Sequence, residues 1–229
     1  MASVVNSNDV LEIMSLLRDP QTYPERPSRV ELIETHISWV FLTDHFAYKL
    51  KKPVEFQFLD FSTPQARELA CAEEIRLNRR LAHNVYVSML PITLHPLQGL
   101  ELDGSGTAID YVVKMRRLPT GCCLEHLIRT QKLTTVQIAE VAAYLSRFYL
   151  DAKPVDMQPN EYSERLAEHC RANRADLLNA LSRPHRNSIR RVCGAQLQYI
   201  ALHKDVLYER VRAGRVVEDH GELRAEHLF

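Results

Sequence analysis

Glycine is scarce, with 7 in 229 residues, and no G-x-x-x-x-G-K-[ST] run occurs, which excludes a phosphate-cradling loop of the Walker type. A charge of one sign is missing too. The 29 Lys and Arg balance 29 Asp and Glu, and no block of like charge is long enough to coat a phosphate backbone. This argues against a general nucleic-acid or anionic-membrane binder. No apolar run approaches the ~18 residues of a membrane-spanning helix. The start, MASVVNSNDV, lacks the basic and apolar regions of a secretory leader. Five cysteines make an odd number with no C-x-x-C pair, in a chain too large to need disulfide staples, so a reducing, cytoplasmic setting is expected. What is present is an ordinary globular inventory, and 45% hydrophobic residues can supply a core.

Periodicity divides the chain. Residues 8–18 place Val10, Leu11, Met14, Leu16 and Leu17 at helical spacing before Pro20 and Pro24. From Glu31 the run VELIETHISWVFLTDHFAYKLKK is rich in β-branched and aromatic residues, with Thr43-Asp44-His45 between two strand-like stretches, and predicts a hairpin preceded by a further short strand. Residues 63–82 predict a helix with Thr63 as N-cap, Pro64 at its first position and apolar residues at Leu69, Ala72, Ile75, Leu77 and Leu81. VYVSMLPITL and AIDYVVKM read as strands on either side of a turn-rich stretch ending at Gly106. Helical periods then fill 124–131, 134–152, 160–181 and 185–213, broken by Pro154, Pro159 and Pro184. The expected fold is α+β, with an antiparallel sheet lobe over 1–117, a helical lobe over 118–229 and a joint near 116–121. The stripe Tyr144, Phe148, Tyr149 reads as core.

Several residues could carry chemistry. Alternation along FAYKLKKP places Lys49 and Lys51 on one face of a strand, although Lys49, Lys51 and Lys52 also suit a solvated basic edge. Glu73 and Glu74 lie on the long helix, where one could reach that strand. Both could equally pair with Arg76, Arg79 or Arg80 on the helix surface. Cys122, Cys123 and His126 lack the second half needed to close a four-ligand metal site.

The order of hairpin, lysine-bearing strand, carboxylate-bearing helix, two strands, short joint, helical half and a late His-Gly-acid loop resembles the aminoglycoside phosphotransferase group of the protein-kinase-like fold. The resemblance runs from about residue 34 to the end. The segment ETHISWVFLTDHFAYKLKKPVEFQFLDFST is similar to a branch of that group sometimes fused to a P-loop kinase domain. The resemblance implies a bilobal fold that binds ATP with Mg²⁺ and passes a phosphoryl group to a small-molecule hydroxyl. It assigns Lys49 to the nucleotide phosphates, with Lys51 as the alternate, and Glu74 to the orientation of that lysine, with Glu73 as the alternate. Met115, Arg116 and Arg117 of YVVKMRRLP would line the adenine edge.

HGELRAEHLF, residues 220–229, resembles the group's catalytic loop H-G-D-L-x-x-x-N. His220 opens the motif, Glu222 takes the place of the catalytic aspartate and His227 that of the metal-binding asparagine. Glutamate moves the carboxylate out by roughly 1.5 Å, and a misplacement of about 1 Å can cost on the order of a hundredfold in rate. Imidazole suits Zn, Cu, Fe or Ni better than Mg²⁺. The group's second metal-binding aspartate and later helices would follow His227, whereas the sequence ends at Phe229. The expectation is a truncated, impaired phosphotransferase. A non-catalytic nucleotide-binding or interaction protein and a gene remnant are its rivals. An incomplete helical lobe would expose apolar surface and promote self-association.

Overall fold

A computed structural model describes residues 7–56, 59–181, 185–221 and 223–229. The first helix, α1 (Ser7–Arg18), buries Ile13 and Leu17 and leaves Leu11 68% exposed, so its inward stripe runs 10, 13, 14, 17. A 3₁₀ turn at Pro20–Thr22, capped by Asp19, then reverses the chain.

Strands β1 (Glu31–Glu34), β2 (Ser38–Leu42) and β3 (Phe46–Lys51) form an antiparallel meander. A two-stranded hairpin, β4 (Glu55–Phe56) and β5 (Leu59–Asp60), leads to α2 (Pro64–Ala82), then β6 (Tyr86–His95), β7 (Gly99–Leu102) and β8 (Thr107–Arg116). All pairs in the six-stranded sheet are antiparallel, in the order β1-β2-β3-β8-β6-β7. Strand β7 falls inside the stretch expected to be only a turn. Its residues GLEL carry no β-branched signal. Gly99 opens it at φ 82°, a conformation that costs glycine little, and His95 Nδ1 accepts from the N–H groups of Leu97 and Gln98 to close the turn.

Both faces of this sheet are covered. Tyr48, Leu50, Ile92 and Val112 pack with Phe41, Tyr23 and the α1 residues Ile13 and Leu17. The neighbouring Val113 points the other way, onto Cys71 and Ile75 of α2, with Tyr86, Met89, Tyr111 and Met115 around them. Double coverage explains why the adjacent Val112 and Val113 of β8 are both fully buried although they face opposite sides. Each fully buried side chain of this size contributes about 1.5–3 kcal/mol.

Helix α2 starts as expected: Thr63 Oγ1 accepts from Ala66 N at 3.1 Å and Pro64 occupies the first position. Its phase follows the expected stripe at Ile75 but not at Leu69 or Ala72. Leu69 is 70% exposed, and the buried residues are Arg67, Cys71 and Ile75. A polar residue, Arg67, takes a position the hydrophobic pattern would give to an apolar one.

The chain divides into two compact units. One runs to Leu133 and takes back the last residues to Phe229; the other is Thr134–Gly221. The division therefore falls after α3 (Leu124–Arg129) and not at 117. Helix α3 falls in the first unit together with the last residues, which it holds: Leu124 N donates to Leu228 O at 2.8 Å, and the Cys123 thiol faces the carbonyls of Ala225 and Glu226.

The second unit comprises α4 (Thr135–Asp151), α5 (Pro159–Ala180), α6 (Arg186–Leu202) and α7 (Lys204–Arg212). Its core joins Cys170 of α5 to Ile189 and Cys193 of α6. The single helix expected over 185–213 is broken at His203, with no Pro or Gly to announce it, and both α6 and α7 pack on α5. Helix α4 opens with a full capping box between Thr134 and Gln137, but none of its residues is buried. Tyr144 and Tyr149 are 48% and 40% exposed, which corrects their reading as core. Among the described residues, no helix is long and apolar enough to cross a membrane.

Candidate functional site

A set of three charged groups lies between the α2 face of the sheet and α2 itself. Strand alternation sends Tyr48 and Leu50 into the α1-side core and leaves Lys49 and Lys51 for the opposite face. Glu74 sits one residue before the buried Ile75, on the side of α2 that meets the sheet. Lys49 Nζ lies 2.9 Å from Glu74 Oε1, and Lys51 Nζ lies 2.6 Å from Glu74 Oε2. Lys49 and Lys51 thus both reach Glu74. Glu73 points outward and pairs with Arg76.

The two lysines differ in exposure. The Lys49 side chain is 27% exposed and that of Lys51 is 6% exposed, with the Lys51 ammonium 4.8 Å above the centre of the Phe61 ring. Burial pushes the Glu74 carboxyl up, but the adjacent ammoniums of Lys49 and Lys51 outweigh it and hold the group below its ordinary value. Nearby, burial pushes the Cys71 thiol up to about 12 and also raises the Tyr86 phenol. Neither contributes a charge at neutral pH, so two ammoniums face one carboxylate and the pocket of charge is positive.

Two turns earlier along α2, a second ion pair anchors the helix. Arg67, fully buried, places Nε 2.9 and 3.1 Å from the Asp110 carboxylate oxygens of β8 and donates from Nη1 to Phe61 O at 2.8 Å. Its Nη2 is buried without a hydrogen-bond partner. Sequence reading missed both residues. Their only signal was Arg67 at seven residues before Glu74, on the same helix face.

The remaining expected site residues are spread out. Met115 packs into the α2-side cluster, while Arg116 and Arg117 stand at the end of β8. Their backbone N–H groups donate to Val85 O and His45 O, and the Arg117 guanidinium donates to Thr43 O and faces Glu31. The N–H groups of Arg116 and Arg117, two of the three residues that the resemblance places at an adenine edge, are thus engaged within the protein. His220 follows the bridge between Pro154 and Val217 in the helical unit. Glu222 lies outside the described residues. His227 closes a 3₁₀ turn, Ala225–His227, that packs on α3, with Nε2 3.8 Å from Glu226 Oε1. Glu226 in turn pairs with Arg224 at 2.5 Å. Among the described residues, no three His, Cys, Asp or Glu side chains gather as a metal would require.

No protein-family model matches the chain. It is similar to uncharacterised proteins of Mycobacterium tuberculosis and Mycobacterium bovis, at 28% identity over 204 residues, which is 87% of this chain. It spans 39% of the length of those relatives.

Proposed function

We propose that the sheet-bearing unit binds the phosphates of ATP through Lys49, and that the protein is a phosphotransferase-like member of the aminoglycoside phosphotransferase and kinase-like group, acting on a small-molecule hydroxyl. The observation that carries this reading is the 2.9 Å pair between Lys49 on β3 and Glu74 on α2. A compact ammonium, held at a fixed place by a helix carboxylate and still partly open to solvent, is suited to phosphate oxygens. The six-stranded sheet with its covering helix supports the bilobal, kinase-like arrangement on which the reading rests.

In the proposed chemistry Lys49 draws the polyphosphate to the sheet and Glu74 keeps the ammonium oriented when no ligand is there. Glu222 would accept the acceptor hydroxyl's proton, in the role that the motif HGEL implies. The described residues do not fit Mg²⁺: His227 offers nitrogen, and Glu226 is engaged with Arg224. The same donor set favours a second reading, a nucleotide-binding protein without transfer activity.

Calorimetric titration with ATP, with and without Mg²⁺, tests the reading beside Lys49→Ala. Losing a charge-assisted contact of about 1.5–3 kcal/mol should weaken binding about ten- to a hundredfold. A folded wild-type protein that binds no ATP at millimolar concentration refutes it. Binding without turnover selects the second reading.

A further inference from the structure

We propose that Lys51 is a second working lysine of this site, a positioning residue that keeps Glu74 neutralised so that Lys49 can leave its carboxylate for a polyphosphate oxygen. The proposal rests on the phosphate-binding reading above and gives Lys51, there only the alternate to Lys49, a distinct role of its own.

The argument begins with the carboxylate. Glu74 is largely withdrawn from solvent, at 12% side-chain exposure, and each of its oxygens is occupied by a different ammonium. A buried carboxylate stripped of its cation is strongly penalised. Were Lys49 its sole partner, every phosphate contact made by Lys49 would strand Glu74, and binding would be opposed by that cost. Lys51 removes the conflict. It is the more buried lysine, makes the shorter contact and is flanked by the Phe61 ring, so it stays with Glu74 while the more exposed Lys49 turns outward.

The charge arithmetic also selects the ligand class. With Lys51 and Glu74 cancelling, the Lys49 ammonium is a full positive charge presented to solvent, suited to a polyanion. The other titratable groups around Glu74 are the Cys71 thiol on its own helix and the Tyr86 phenol on β6, with Asp110 of β8 acting on Cys71. Asp110 is itself held by Arg67. The thiol and the phenol are both uncharged across the acid and neutral range, which leaves the two ammoniums in control of Glu74.

Side-chain carboxyl carbon NMR on the full chain reads the proposal directly, in wild type, Lys49→Met, Lys51→Met and Lys51→Arg, each also titrated with inorganic tripolyphosphate. Lys51→Met should move the Glu74 titration upward at least as far as Lys49→Met and weaken tripolyphosphate binding tenfold or more, and Lys51→Arg should restore the titration. An unchanged Glu74 titration in Lys51→Met overturns the proposal. A wild type that binds no tripolyphosphate fails the phosphate reading, while the Glu74 titration still decides the part played by Lys51. Should Lys51→Met not fold, amine acetylation of wild type followed by mass spectrometry decides instead. Lys49 should react at least tenfold faster than Lys51 and be protected by tripolyphosphate, and equal reactivity of the two lysines overturns the proposal.

Discussion

Replacing Asp110 with alanine strands the Arg67 guanidinium in the interior. Arg67 has 0% side-chain exposure and Asp110 6%, so water cannot take the place of the lost carboxylate. Removing one member of a buried pair costs about 3–5 kcal/mol, a large part of the roughly 5–15 kcal/mol that holds a domain folded. The protein's one tryptophan, Trp39, lies on β2 beside the α1-side core, so its fluorescence reports the sheet unit without a signal from the helical unit. At an m-value of about 2 kcal/mol/M, Asp110→Ala should lower the urea midpoint by about 1.5–2.5 M. Burial pushes the Asp110 carboxyl up despite the guanidinium against it, so desolvation exceeds what the pairing returns. The double change Arg67→Met with Asp110→Leu should therefore recover most of the loss. A single-variant midpoint within about 0.5 M of wild type would refute this reasoning, and so would a double variant no more stable than the single.

Further predictions concern the same unit. Because Lys49 and Lys51 hold Glu74 below its ordinary 4.5 against the pull of burial, its stabilisation is complete above that value and is lost as the pH falls through the lowered one. The gap in urea midpoint between wild type and Glu74→Gln should accordingly be widest near neutral pH and close in acid, and a gap independent of pH would contradict the pairing. Thr63→Ala removes the hydroxyl that caps α2 and should cost about 1 kcal/mol by the same Trp39 assay, with Thr63→Ser close to wild type. Cys122 is exposed, while Cys71, Cys123, Cys170 and Cys193 are buried, so Ellman's reagent should modify one thiol quickly in the native protein and all five after denaturation. Rapid loss of a second native thiol would show that one of the buried sites opens.

The sequence was most informative where neighbours in the chain decide the outcome. Thr63 and Pro64 announce the start of α2, because a cap is made by side chains within three residues of the amides they satisfy. The hairpin over 38–51 and the strands β6 and β8 were legible from their β-branched and aromatic runs. Strand β7 was not, since GLEL becomes a strand by pairing with β6 and not through its own preference. Nor was the break at His203, where packing of both helices on α5 sets the turn.

The alternation that sets Lys49 and Lys51 on one face of β3, and the helical period that sets Arg67, Cys71 and Glu74 on one side of α2, belong to the sequence, because backbone geometry fixes both. Which partner each side chain meets belongs to the tertiary structure alone. Glu74 lies 25 and 23 positions from its two lysines, and Arg67 lies 43 from Asp110. Over such separations, the docking of α2 on the sheet brings the groups together and withdraws them from water. That burial turns the Lys49–Glu74–Lys51 contacts from an unremarkable surface pattern into a charged site.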